Sequence, residues 1–161
     1  MRLLAAGVIA IVSWLVVATQ VPSHPRLRLA DVVVGAKVSQ AFGCTSLELE
    51  PFDDLCPMHR KHTGVDLAAS TGTEVHSATY GAAVIGFDPS GCGNFVVVSV
   101  DAHVRILYCH LSAFRVAPGA SVEPGQVIGL VGSTGLSTGP HVHFQVDVDG
   151  VPVDPGAWLG S

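Results

Sequence analysis

Short apolar segments separated by turn-forming residues are the feature that most constrains the fold of this chain. Clusters of Asp, Pro, Ser and Gly follow most of these segments, and no segment after Val21 repeats its apolar residues every 3.6 positions. We therefore predict a mostly β fold: an antiparallel β-sheet domain with long loops and at most a turn or two of helix. The segments richest in Val, Ile and Phe are predicted strands at residues 82–87, 94–100, 104–111, 126–131 and 141–148.

Length and charge narrow the class of protein further. A chain of 161 residues is long enough for one domain with a proper core, and we place that domain at residues 29–161. The formal net charge is −5, and no stretch concentrates Lys and Arg. Electrostatic capture of nucleic acid is therefore not expected.

The N-terminus resembles an export signal. Residues 3–18 are apolar apart from one serine, and an arginine precedes them. A helix of this length reaches only ~24 Å, less than the ~30 Å hydrocarbon core of a bilayer, although a few more residues nearly close the gap. Residues 1–21 are thus predicted to be either a cleaved signal peptide or a retained single-helix membrane anchor, with a linker at 22–28. Both alternatives predict an extracytoplasmic domain, secreted or anchored facing the cell wall or periplasm.

The four cysteines fit an exported protein. An even number of cysteines in an oxidising compartment indicates disulfides, and four cysteines allow three pairings. Short local loops favour Cys44 with Cys56 and Cys92 with Cys109, although the sequence leaves the connectivity open. A zinc–thiolate site is disfavoured because the chain has no Cys-x-x-Cys motif.

Histidines and one aspartate form two clusters with metal-ligand spacing. One is HTGVD at residues 62–66, and the other is HVH at 141–143, which follows a Gly-rich loop. Imidazole nitrogens and carboxylate oxygens are donors that hold zinc and can leave a position free for water or substrate. Strand alternation places His141 and His143 on one face, so either could bind metal on this criterion alone. A further histidine, His110, ends a predicted strand.

These clusters and the segments between them resemble the lysostaphin-type zinc endopeptidases of bacterial peptidoglycan, also called LytM-like peptidases. The similarity covers roughly residues 38–158, with gaps only in loops. It implies a lysostaphin-like peptidase fold, a hybrid of β-sandwich and barrel. The matching elements are HTGVDLAA at 62–69, GTEV at 72–75, GNFVV at 93–97, YCHLS at 108–112, PGQVIG at 124–129 and GSTG at 132–135 through HVHF at 141–144.

The resemblance implies roles for five residues. It implies that His62, Asp66 and His143 bind one Zn²⁺ ion and that His110 and His141 are catalytic. All five are present, whereas family members that only bind or activate other enzymes typically lack some of them. The implied activity is that of a zinc metalloendopeptidase that hydrolyses peptide bonds in peptidoglycan cross-links or stem peptides. Together with the N-terminal segment this predicts an exported enzyme, and we expect it to be a monomer.

One segment departs from the family pattern. Residues 44–61 contain both halves of one predicted disulfide and form the longest stretch without strand signals. Because loops of this length are usually functional or disordered, we expect a stapled wall of the active-site groove, with a solvated loop as the alternative. This insertion leaves substrate preference open.

Two other functions compete with a peptidase. One is a zinc-holding but catalytically idle module that binds peptidoglycan or activates a hydrolase, which the five intact residues disfavour. The other is a lipoyl-bearing or phosphocarrier domain, suggested by the GQVIG hairpin at 125–129. Such a protein would be cytoplasmic, and the apolar N-terminus disfavours it.

Overall fold

The computed structural model describes residues 26–160, which form a β-sheet domain with one short helix near each end. The predicted signal or anchor and most of the predicted linker lie outside the described residues. Within residues 26–160, neither helix is long and apolar enough to cross a membrane. The helices are α1 (Leu29–Val32) and α2 (Pro155–Leu159). The strands are β1 (Lys37–Gln40), β2 (Gly43–Cys44), β3 (Lys61–His62), β4 (Val65–Ala68), β5 (Glu74–His76), β6 (Gly81–Asp88), β7 (Gly93–Ser99), β8 (Val104–Leu111), β9 (Ala113–Phe114), β10 (Ser121–Val122), β11 (Val127–Leu130), β12 (His141–Val148) and β13 (Val151–Val153).

An eight-stranded sheet forms the body of the domain. Its order is β1-β4-β12-β8-β7-β6-β10, with β13 paired to β12, and all of these pairs are antiparallel. The long hairpin strands β6, β7 and β8 follow one another in the chain, whereas β12 returns from far along the sequence to lie between β4 and β8. This crossing places the two histidine clusters of the sequence side by side.

A smaller sheet of order β5-β11-β9 shares its core with the large sheet. Val75 and Ile128 from the small sheet belong to the same buried cluster as Val96, Ile106 and Phe144 from the large one. On β12 the even-numbered residues from 142 to 146 are fully buried, and the odd-numbered histidines face away from the core. The predicted mostly antiparallel β fold is confirmed.

The five predicted strands are all present, with ends shifted by at most one residue. The remaining strands have only two to four residues, which is too short for alternation to be visible in the sequence. The predicted disulfides are also confirmed: Cys44 pairs with Cys56, and Cys92 pairs with Cys109.

Candidate active site

Strand register brings the two distant clusters together. On the β4–β12 ladder His143 lies directly opposite Asp66, and His62 ends β3 just before the turn into β4. Gly64 makes this turn possible, because a Cβ atom at its position would overlap the carbonyl of Phe144 and the ring of His143. The turn can therefore lie against β12 only with glycine at this position.

Three donor atoms form a triangle with sides of about 3 Å. His62 Nε2 lies 3.1 Å from Asp66 Oδ1 and 2.9 Å from His143 Nδ1, and His143 Nδ1 lies 3.0 Å from Asp66 Oδ1. All three side chains are largely withdrawn from solvent. Residues 26–160 contain this one His/Cys/Asp/Glu group with donor atoms close enough to hold a metal ion.

The chemistry of this triangle fits zinc. Nδ1 of His62 lies 2.9 Å from the carbonyl oxygen of Ala41, and since a carbonyl only accepts, neutral His62 carries its proton there. Its Nε2 lone pair then faces Asp66 and His143. Two imidazoles and one carboxylate are a known catalytic zinc donor set that leaves a further position open.

The triangle also controls the charge of its members. Burial alone would raise the pKa of Asp66. When the nitrogens of His143 and His62 that face Asp66 carry protons, however, they donate hydrogen bonds to its carboxylate. These bonds outweigh burial and hold that pKa well below the usual range. Burial would lower the pKa of His62, but its bonds to Asp66 and to the Ala41 carbonyl raise it overall. Asp66 is therefore an ionised carboxylate at neutral pH.

His110 and His141 form a second pair beside the triangle. Nδ1 of His110 donates to the carbonyl of Thr134 at 2.8 Å, and Nδ1 of His141 donates to the carbonyl of Gly139 at 2.7 Å. Their ring centroids are 4.7 Å apart. Since one Gly-rich loop fixes both tautomers, both Nε2 atoms are left to accept a proton.

The two histidines of this pair differ in their surroundings. His141 Nε2 lies 3.7 Å from Asp66 Oδ2, so it borders the triangle without belonging to it. His110 has a positive φ of 66° at the end of β8, an unusual conformation for a residue with a side chain. Burial lowers the pKa of His110, which favours the neutral imidazole.

All five histidine and aspartate residues predicted from the sequence line one groove of about 400 Å³. Leu47, Leu49 and Pro51 from the disulfide-stapled segment line one part of it, and Leu136 lines another. The expected stapled wall is therefore present. Its exposed leucines give the groove an apolar surface beside a polar centre.

Sequence reasoning missed two polar residues at the site. Gln145 Oε1 lies 3.2 Å from Nε2 of His143 and accepts a hydrogen bond from the hydroxyl of Thr63 at 2.6 Å. Gln145 could have been found, because it lies two residues beyond His143 on the same strand face. Tyr108, two residues before His110 on β8, is fully buried, and its hydroxyl accepts a hydrogen bond from the backbone N–H of Ala78.

A three-donor centre with an adjacent histidine pair in a groove is an arrangement of metal-dependent hydrolases. The chain belongs to peptidase family M23, whose sequence profile matches residues 60–155.

Curated relatives of the chain include named peptidases, and two of them, from Vibrio cholerae, are named as peptidoglycan DD-endopeptidases. The chain is 47% identical over 96 residues to the DD-carboxypeptidase/endopeptidase Mpg of Neisseria meningitidis serogroup B, covering 60% of this chain and 22% of Mpg. It is 43% identical over 86 residues to lysostaphin of Staphylococcus staphylolyticus, covering 52% of this chain and 18% of lysostaphin. The chain thus spans about a fifth of the length of these relatives.

Solved structures share the fold. The catalytic domain of lysostaphin from Staphylococcus simulans superposes with a TM-score of 0.64 at 34% identity, covering 78% of this chain and 93% of that domain. A zinc-containing peptidase from Vibrio cholerae superposes with a TM-score of 0.67 at 28% identity, covering 83% of this chain and 40% of the other. The domain is therefore a lysostaphin-like M23 fold.

Proposed function

We propose that this chain is an exported zinc-dependent endopeptidase that hydrolyses peptide bonds in bacterial peptidoglycan cross-links or stem peptides. The observation that carries the proposal is the convergence of His62, Asp66 and His143 beside His110 and His141 in one groove. Membership of family M23 supports the peptidase reaction, and the relatives named as peptidoglycan DD-endopeptidases support the wall substrate.

In this proposal His62, Asp66 and His143 hold one zinc ion. Bound zinc supplies Lewis acidity, which polarises a carbonyl group and lowers the pKa of a bound water toward ~7. The protein's contribution is to present two neutral imidazole nitrogens and one carboxylate oxygen, already gathered within about 3 Å of one another. The low pKa of Asp66 keeps its carboxylate in the binding form.

His110 and His141 are proposed as the catalytic residues. With Nδ1 of each bonded to a loop carbonyl, Nε2 of each is the nitrogen that can take a proton and return it to the leaving amine. The protonated ring can also stabilise negative charge on the carbonyl oxygen in the transition state. Both histidines line the same groove, with their ring centroids 4.7 Å apart.

The disulfides support the exported location in this proposal. Both form locally in the described domain, and disulfides persist in oxidising compartments. The N-terminal segment acts either as a cleaved signal or as a single-helix anchor, and the domain works as a monomer on wall peptides. Residues 29–161 form its catalytic domain.

Digestion of purified peptidoglycan tests the proposal. The full chain should release new amino termini, a chelator should stop the release, and added zinc should restore it. Mass analysis of the products then identifies the bond that is cut. Zinc binding without any release would favour an idle binding module, and release insensitive to chelator would contradict the zinc-dependent mechanism.

A further inference from the structure

One face of β12 carries a continuous row of hydrogen-bonded side chains that begins at the triangle. Nε2 of His143 lies 3.2 Å from Oε1 of Gln145, and Nε2 of Gln145 donates to Oδ1 of Asp147 at 2.7 Å. Arg105, opposite Asp147 on β8, lies 3.6 Å from its other oxygen. The row therefore links a proposed zinc ligand to an ion pair four residues away.

Asp147 fixes the direction of this row. Its carboxylate beside Arg105 can only accept hydrogen bonds, and it is 6% exposed. The amide NH₂ of Gln145 must therefore face Asp147, which turns the amide oxygen toward His143. The hydroxyl of Thr63 donates to the same oxygen at 2.6 Å, in agreement with this orientation.

The orientation of Gln145 determines the tautomer of His143. Because an amide oxygen only accepts, Nε2 carries the proton in neutral His143, the form that binds metal, and Nδ1 carries the lone pair. Nδ1 is the atom that lies 2.9 Å from His62 and 3.0 Å from Asp66. If the amide were reversed, His143 would keep its proton on Nδ1, inside the triangle, and would lose the lone pair that binds metal.

We propose that Gln145 is a positioning residue that sets the tautomer and ring orientation of His143, and that Asp147 and Arg105 fix Gln145 in turn. This inference rests on the proposed function, since it takes His143 Nδ1 as a zinc ligand. Thr63 extends the effect, because it follows His62 in the chain and ties the β3–β4 turn to the same amide oxygen. One amide group thereby holds both histidine ligands in place.

Zinc affinity in matched variants of the full chain tests the proposal. Outer partners of metal-binding histidines typically contribute ~10–100-fold to metal affinity, so Gln145→Leu should raise the zinc dissociation constant by about that factor. The isosteric Asp147→Asn, which touches no ligand, should give a smaller increase because it no longer enforces the amide orientation. Gln126→Leu, the same substitution at an exposed site, should leave zinc affinity unchanged.

A paired substitution tests the direction of the row. The double variant Gln145→Glu/Asp147→Asn exchanges the two groups. The carboxylate at position 145 accepts hydrogen bonds from His143 and Thr63, and the amide at position 147 donates a hydrogen bond to that carboxylate. Zinc affinity should return close to that of the native chain. In the native zinc-loaded protein, nitrogen-15 NMR should detect the proton of His143 on Nε2.

The outcomes separate this inference from the proposed function. Wild-type zinc affinity in Gln145→Leu, with only the thermal stability of the chelated protein lowered, would make Gln145 a structural residue and overturn the inference. A paired variant as weak as Gln145→Leu would also overturn it. A native chain that binds zinc but cuts no wall peptide would contradict the proposed function alone, whereas a native chain without zinc affinity would overturn both.

Discussion

The two halves of the groove are built by different means. Asp66 and His143 belong to paired strands, and their separation is set by the β4–β12 register. His110 and His141 instead owe their tautomers to carbonyl groups of the Gly-rich loop at residues 132–140. In the proposed mechanism, metal binding therefore depends on strand pairing and proton transfer depends on the shape of one loop, so the two can be damaged separately.

The largest expected difference is between the effects of His62→Ala and His110→Ala on zinc binding. His62→Ala should abolish both zinc binding and activity, because it removes one corner of the triangle. His110→Ala should keep zinc and lose ~10²-fold or more in turnover, as expected for loss of a general acid or base. Zinc content and the rate of peptide release measure the two effects. Full activity of the His110→Ala variant would show that His110 takes no part in the mechanism. Loss of zinc from the same variant would show that the two halves of the groove are not independent.

Gly135→Ala should damage the loop-held half alone. Gly135 has a φ of 72°, and a Cβ atom there would overlap the backbone of Gly91 and Gly93. Displacement of a catalytic group by about 1 Å can cost ~10²-fold in rate. Turnover should therefore fall by between severalfold and ~10²-fold, while zinc affinity is retained. Backbone strain of this kind costs ~1–3 kcal/mol of stability.

Gly119→Ala is the matched control for that prediction. Gly119 has a φ of 78°, but nothing lies within 4 Å of a Cβ atom at its position. The Gly119→Ala variant should also lose stability, because alanine is strained at this φ. Turnover of the folded variant should remain that of the native protein. Equal losses of turnover in the two variants would show that the effect does not pass through the loop.

The two disulfides should differ in their effect on activity. Their sequence separations are 17 and 12 residues, so replacing either pair with alanines should cost about 3 kcal/mol of unfolding free energy. Loss of Cys92–Cys109 should also lower turnover, because the backbone N–H of His110 donates to the Cys92 carbonyl at 2.7 Å. Loss of Cys44–Cys56 should change KM more than kcat, since that segment lines the groove.

Chemical denaturation and steady-state kinetics of the two double variants make the comparison. The KM change for the stapled wall is read with peptidoglycan fragments as substrate. If KM and turnover both stay native after loss of Cys44–Cys56, the stapled wall does not contribute to substrate binding.

The smallest expected effect concerns a histidine outside the groove. His103 donates to Asp149 at 2.6 Å, and this hydrogen bond, with the nearby negative charge, raises the pKa of His103. Because the folded pKa is raised, the pair's stabilisation is full below the unfolded value of ~6.5 and is lost as pH rises through the folded pKa. Asp149→Asn should lower the pKa of His103 in an NMR titration and leave zinc and turnover unchanged.

His103 thus serves as a reference for an ordinary surface histidine, against which the histidines of the groove can be judged. The exposed His103–Asp149 pair contacts neither half of the groove, and its charge should not change the rate of the reaction. An unchanged His103 titration in Asp149→Asn would show that the pair does not form in solution.

The sequence predicted the long strands and the five central residues for different reasons. Residues 104–111 and 141–148 alternate or concentrate apolar residues over a full strand length, so their bounds follow from local pattern. The histidine and aspartate positions came from motif spacing and family resemblance, and the structure brings all five to one groove. The spacing alone left His141 and His143 equal as ligands. The family resemblance favoured His143, and the structure places His143 directly opposite Asp66.

The parts that could not be predicted depend on contacts distant in sequence. Strands such as β2 and β10 have two residues each, and they exist because a partner strand offers hydrogen bonds. The position of Gln145 follows from strand alternation, but the proposed orientation of its amide also depends on Arg105, which lies on another strand beside Asp147. The left-handed backbone of His110 likewise has no local signal.

The central claim is that three side chains from two distant segments hold one zinc ion. An anomalous difference map recorded at the zinc absorption edge from crystals of the zinc-loaded protein tests it most directly. We expect a single peak per chain, bonded to His62 Nε2, His143 Nδ1 and the Asp66 carboxylate. A peak held by other residues, or no peak in crystals of folded protein supplied with zinc, would contradict it.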